Sequence, residues 1–267
     1  MSESFEAMPP REVAARAEDV GVTKVNLGTP TMLLLAVLGG AFIGLGACLA
    51  SIVGTGIAAA PYGLGRWAVG LAFSLGLTLV VLAGAELFTG NNLAVMAWVS
   101  GKVRLGALLR SWGIVYAGNL LGAVLTASLV FLARVHAGAG GAVGDAVVAA
   151  AEARLEQTLV QTLARAVLAN ALVCLAVWMA MGARSTVDKV VALTLPVAAF
   201  VAAGFEHCVA NMFTLPWAAM ISAERGATFD VAAAVLRNLL PVTLGNIVGG
   251  AGLVGLVYWR AYRAPRT

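Results

Sequence analysis

The sequence predicts an all-α membrane protein: six transmembrane helices in an inverted repeat of three plus three, with the second and fifth helices broken. Three observations predict it. Of 267 residues, 61% are apolar and 11% charged, and the mean hydropathy is +0.92, a balance that no soluble globule needs. Apolar stretches run approximately 31–54, 67–99, 104–133, 158–182, 190–223 and 235–259, each long enough for a bilayer core that takes about 20 helical residues. Two polar interruptions within these stretches match one another in spacing.

The chain divides into an N-terminal segment 1–29, a six-helix membrane domain 30–262 and a tail 263–267. From Glu3 to Lys24, Val13, Ala17 and Val20 recur at roughly helical spacing among Arg11, Arg16, Glu18 and Asp19, which predicts a surface helix. The segment lacks the short apolar core of a cleavable signal, so the N-terminus is expected in the cytoplasm.

With both ends inside, the inner side receives Arg11, Arg16, Lys24, Lys102, Arg104, Arg184, Lys189, Arg260, Arg263 and Arg266. The outer side receives Arg66, Arg134, Arg154, Arg225 and Arg237. That asymmetry follows the positive-inside rule and predicts a multi-pass protein of a prokaryotic inner membrane with cytoplasmic termini. The excess of four positive charges is spread singly between apolar segments, which argues for topology signals and against a nucleic-acid partner. The 31 glycines are scattered through the apolar stretches, as where membrane helices approach through small residues. Cys48, Cys174 and Cys208 lie in apolar runs without disulfide or zinc spacing; no metal and no cofactor is expected.

As unbroken helices, 67–99 and 190–223 would each measure about 50 Å, against a core of about 30 Å. They are expected to break at Gly84-Ala85-Glu86-Leu87-Phe88-Thr89-Gly90-Asn91-Asn92 and at Gly204-Phe205-Glu206-His207-Cys208-Val209-Ala210-Asn211-Met212. Stretch 104–133 is also long but carries no comparable interruption. The third and sixth stretches share Gly118-Asn119-Leu120-Leu121-Gly122 and Gly245-Asn246-Ile247-Val248-Gly249. Three spans per half is an odd number, so the second half enters the membrane inverted and the two breaks face one another.

Irregular backbone at membrane depth belongs beside a cavity or within protein, so opposed breaks predict a pore or binding site. Helices restarting after Gly90 and Ala210 would offer free N–H groups and a partial positive charge to an anion. Ionisable residues inside the bilayer point to function, and they number four: Glu86, Arg165, Glu206 and His207. His207 and Thr89 are assigned to the pore centre. Glu86 and Glu206, at equivalent positions, are read as accepting N–H groups exposed by the breaks, with Asn91 and Asn211 as further structural support. Arg165 has three readings: snorkelling, pairing with an internal carboxylate, or adding positive field to an outer vestibule.

The runs Ala85-Glu86-Leu87-Phe88-Thr89-Gly90-Asn91 and Gly204-Phe205-Glu206-His207 through Ala210-Asn211-Met212-Phe213 resemble the hallmarks of formate/nitrite transporters. The likeness extends through Phe73-Ser74-Leu75-Gly76-Leu77, Ala169-Asn170-Ala171 up to Met179, and Pro241-Val242-Thr243-Leu244-Gly245-Asn246. It implies an aquaporin-like protomer, a homopentamer with one pore per subunit, and apolar constrictions around the histidine. Their matching positions are Phe73 and Phe200 on the outer side, with Leu77, Leu87 and Val173 deeper, while Asn170 joins the support of the broken helices. A lysine usual in the outer vestibule is matched here by Arg154, which keeps the charge but is no proton source.

Formate is the expected substrate, because Ala210-Asn211-Met212-Phe213-Thr214-Leu215-Pro216 and Arg184-Ser185-Thr186-Val187-Asp188-Lys189 resemble the formate branch more than the nitrite branch. A nitrite or hydrosulfide channel is the alternative. A water or polyol channel would carry paired Asn-Pro-Ala boxes, whereas here Asn92 and Met212 follow the asparagines. An enzyme is not expected: only His136 accompanies His207, and no nucleophile, base and orienting group are suitably spaced.

Overall fold

The computed structural model describes residues 6–264, which are helical apart from short connections. Positions 3–5 of the expected surface helix lie outside the described residues. That helix, α1, spans Pro10–Val25 and begins where Pro10 needs no N–H partner in the first turn. It is not a solvated lead-in. Val13, Ala14, Ala17, Gly21 and Val25 are buried along one stripe, because α1 lies flat against the membrane bundle.

Five described helices are long and apolar enough to cross a bilayer: α2 (Thr29–Gly54), α3 (Tyr62–Ala83), α5 (Leu105–Leu132), α7 (Leu159–Gly182) and α10 (Val231–Tyr262). Stretch 104–133 is accordingly one unbroken helix. The sixth crossing is divided between α8 (Thr186–Ala202) and α9 (Cys208–Glu224). The expected break of the second stretch leaves α3 followed by a 3₁₀ turn at Gly90–Ala94 and the short α4 (Val95–Val99). The helix α10 contains wide π-turns at Ala234–Leu239 and Val248–Leu256.

Boundaries follow local chemistry. Thr158 with Gln161 and Ser185 with Asp188 form capping boxes at the starts of α7 and α8. Both breaks open on a glycine in the left-handed region, Gly84 at φ +81° and Gly204 at φ +74°, where a Cβ would be strained. The second restart comes earlier than expected, at Cys208 rather than after Ala210. The reason is that the His207 side chain caps α9, its Nδ1 accepting the Ala210 N–H at 3.1 Å.

The repeat pairs α2, α3/α4 and α5 with α7, α8/α9 and α10. A Cβ at Gly122 would collide with the Val37 carbonyl of α2, and one at the equivalent Gly249 with the Val167 carbonyl of α7. In each half, glycine thus lets the first and third helices touch backbone to backbone.

Both described chain ends lie on one side of the bundle, called proximal here. Buried Glu18 of α1 accepts from Arg263 at 3.0 and 3.2 Å, from Lys102 at 2.9 Å and from Ser100 at 2.7 Å. On the opposite, distal side, the connection after α5 holds a helix that the sequence reading missed, α6 (Ala142–Leu155). There His136 stacks on Phe131 and bonds Glu224 at 2.8 Å, tying the connection to the end of α9.

Candidate functional site

The two breaks meet inside the bundle, and a matched pair of asparagines holds them. Asn119 accepts the Phe88 N–H at 2.8 Å and donates to the Ala36 and Glu86 carbonyls at 2.7 and 2.9 Å. Its counterpart Asn246 accepts the Cys208 N–H at 2.9 Å and donates to the Ala166 and Glu206 carbonyls at 2.7 and 3.0 Å. Each amide thereby satisfies one donor and two acceptors that a broken helix leaves open. Sequence reasoning saw the repeated Gly-Asn pairs but did not assign them to the site; their recurrence in both halves was the available signal.

Glu86 and Glu206 do not take the exposed N–H groups. Their own amides donate to the Leu35 and Arg165 carbonyls at 3.1 and 3.4 Å. Their carboxylates accept from the neighbouring asparagines: Asn91 to Glu86 at 2.6 Å and Asn211 to Glu206 at 2.7 Å. A cation completes each unit. Lys24 of α1 reaches Glu86 at 2.8 Å and Asn91 Oδ1 at 3.0 Å, and Arg154 of α6 lies 3.6 Å from Glu206. Gln157 adds a bond to Glu206 at 3.1 Å. Lys24 and Gln157 were missed because nothing in a polar connecting segment announces which side chain turns inward.

Between these units lies the pair assigned to the pore centre. His207 Nε2 is 2.9 Å from Thr89 Oγ1, both side chains being buried. Because Nδ1 accepts the Ala210 N–H, the neutral ring carries its hydrogen on Nε2 and donates it to Thr89. The Thr89 hydroxyl hydrogen is then left for another acceptor. Asn170 supports the Thr89 turn, donating to Asn92 Oδ1 at 2.8 Å and the Asn246 carbonyl at 2.7 Å, with the Thr89 carbonyl at 3.3 Å. Of the N–H groups expected to be free around the restarts, those of Phe88, Cys208 and Ala210 donate to side chains instead.

Phe200 stacks on His207 with ring centroids 5.9 Å apart and meets Phe73 edge-on at 5.6 Å. These three side chains form the floor of a distal vestibule of about 400 Å³. Leu77 and Leu87 instead line a proximal vestibule of about 360 Å³. Val173 is buried in the core and borders neither. Arg66, Arg154 and Arg165 face the distal vestibule with a single acid, Glu206. Arg16, Lys24 and Lys189 face the proximal one, again with a single acid, Glu86. Arg66 was read as a topology charge; it donates to the Val201 and Ala202 carbonyls at 2.8 and 2.9 Å, closing the end of α8.

Fold and site together define a polytopic membrane protein of the channel class, with two cation-rich vestibules on either side of the aromatic and aliphatic side chains where the breaks meet. The family described as Formate/nitrite transporter matches residues 11–260, and the chain belongs to that family. It is 39% identical to "Formate channel FocA" of Escherichia coli K12 over 97% of this chain and 95% of that one. It is also 39% identical to "Formate channel BtFdhC" of Bacillus thuringiensis, over 95% of each. A solved structure described as "Pentameric formate channel with formate bound" superposes with a TM-score of 0.81 at 42% identity, covering 88% of this chain and 98% of that one.

Proposed function

We propose that this protein is a channel passing formate and similar small monovalent anions across the cytoplasmic membrane, as a homopentamer with one pore in each subunit. The observation that carries the reading is the charge pattern along the pore. On both sides of the constriction three cationic side chains face one acid, which concentrates anions at either mouth. The constriction itself is apolar apart from the uncharged His207–Thr89 pair and rejects a fully hydrated ion.

In this reading the proximal side is cytoplasmic, with the segment 1–29 and the tail 263–267 flanking the membrane domain 30–262. An anion drawn into either vestibule loses water against Phe73 and Phe200 or against Leu77 and Leu87. Loss of water raises its affinity for a proton, so it crosses largely as the neutral acid, past the Thr89 hydroxyl that His207 orients. The protein performs no covalent chemistry and requires no cofactor.

Formate-driven swelling or uptake in proteoliposomes across pH tests this, with nitrite, hydrosulfide and glycerol as competitors. Saturable formate flux blocked by nitrite is the expected result. Preferred nitrite or hydrosulfide flux changes the substrate alone, whereas glycerol flux without anion flux overturns the assignment.

A further inference from the structure

With Gly118-Asn119 aligned on Gly245-Asn246, Tyr116 of α5 and Thr243 of α10 hold equivalent places in the two halves. The two side chains meet: Tyr116 Oη lies 3.0 Å from Thr243 Oγ1. A residue touches its own repeat equivalent only where the axis relating the halves passes between them, so this pair marks that axis. The Thr243 hydroxyl already donates to the Leu239 carbonyl at 2.7 Å. The hydrogen in the pair therefore comes from Tyr116, and Thr243 Oγ1 accepts it.

Thr243 is thus satisfied by its own helix, and ring packing alone would call for phenylalanine at 116. What the tyrosine hydroxyl adds is a bond from the first half to the second, between two membrane-spanning helices, where a hydroxyl needs a protein partner. Each end of that bond leads to the site. The Tyr116 ring meets Phe88 edge-on with centroids 5.1 Å apart, and Phe88 precedes Thr89. Thr243 interacts with the Cys208 side chain, and Cys208 follows His207. Phe88 and Cys208 are themselves equivalent in the repeat, and their N–H groups are the ones that Asn119 and Asn246 hold. The asparagines fix each break to its own half; Tyr116 and Thr243 tie the halves to one another.

We propose that Tyr116 and Thr243 are positioning residues for transport: their hydrogen bond sets the separation of the two breaks and so keeps His207 Nε2 within reach of the Thr89 hydroxyl. Neither side chain borders either vestibule. Both act through the His207–Thr89 pair, 2.9 Å apart, and not by meeting the anion. The effect on formate passage rests on the channel reading above, whereas the effect on the His207–Thr89 distance does not.

The test uses two readouts on the full-length protein in liposomes: formate influx, and NMR of samples labelled at the histidine ring nitrogens. The chain has two histidines, so His207 gives one set of ring signals and His136, on the distal connection, gives the internal reference. Tyr116→Phe removes only the hydroxyl. It is expected to lower maximal formate influx about fivefold, the worth of one hydrogen bond, with the half-saturation unchanged because no group lining a vestibule is lost. The His207 Nε2 signal shifts while the His136 signals stay in place, which shows that the fold is kept. Thr243→Val does the same, and Thr243→Ser leaves both readouts as in the unmodified protein. The double variant falls no further than either single one, since both break the same bond. An unmoved His207 signal in Tyr116→Phe overturns the proposal, as do influx equal to that of a transporting unmodified protein and a double-variant loss equal to the product of the single losses. A shifted His207 signal in Tyr116→Phe together with no formate influx in the unmodified protein upholds the positioning and overturns the channel reading.

Discussion

His207 Nε2 lies 2.9 Å from Thr89 Oγ1, and the bond joins the two breaks across the inverted repeat. The two residues are not equivalent within that repeat: Leu87 stands where the second half places His207. The meeting point of the two breaks is therefore asymmetric inside a nearly symmetric frame, with a ring donor from one half and a hydroxyl from the other.

Because Nδ1 is occupied by the Ala210 N–H, His207 orients Thr89 through Nε2 alone. Thr89→Val removes the hydroxyl at nearly constant volume and is expected to lower formate flux about tenfold, the worth of one buried hydrogen bond, while Thr89→Ser retains most of it. Stopped-flow light scattering of formate-loaded proteoliposomes measures both. Equal flux in Thr89→Val and the unmodified protein would place the hydroxyl outside the route.

Phe200 touches both Phe73 and His207. Phe200→Ala is expected to widen the space between these rings, so that acetate flux rises relative to formate flux, to within about tenfold of it. Competition between the two acids in the same vesicles checks this; an acetate-to-formate ratio equal to that of the unmodified protein would move the selective step to the proximal leucines.

Asn246 satisfies one backbone donor and two acceptors around the second break. Asn246→Ala leaves those groups buried without partners and is expected to cost about 3 kcal/mol or more, with Asn119→Ala behaving alike because its three bonds are equivalent. Thermal unfolding in detergent gives the comparison. A loss confined to one of the two would show that the halves do not share this device.

Glu18 joins α1 to the rest of the proximal face. Burial pushes its carboxyl up, but the bonds from Arg263, Ser100 and Lys102 outweigh this and hold it below the ordinary value of 4.5. A carboxyl lowered by folding stabilises the docked helix at any pH above its ordinary value and loses that contribution only as pH falls through the lowered one. Docking of α1 is accordingly expected to persist at pH 5 to 6. Glu18→Gln should release it at every pH, at a cost of about 2 kcal/mol, a figure reduced because Lys102 and Arg263 are 36% and 35% exposed. Hydrogen exchange of the α1 amides reads the difference.

The sequence by itself determined the membrane class, the number of crossings and the places where two of them break. Each of those is set by quantities a linear chain displays: run length against bilayer thickness, and the recurrence of Gly-x-Glu in both halves. The repeat also marked Asn119 and Asn246, though their task was hidden, since an asparagine looks the same in sequence whether it faces lipid, solvent or a broken helix. Only the tertiary structure decided that Lys24 and Arg154 complete the Glu86 and Glu206 units, that Glu18 is buried among three donors, and that Arg165, among the described residues, has no side-chain partner and borders the distal vestibule. A side chain's partners come from elements as far as 245 residues away, as with Glu18 and Arg263, and such pairings are set by how the helices pack.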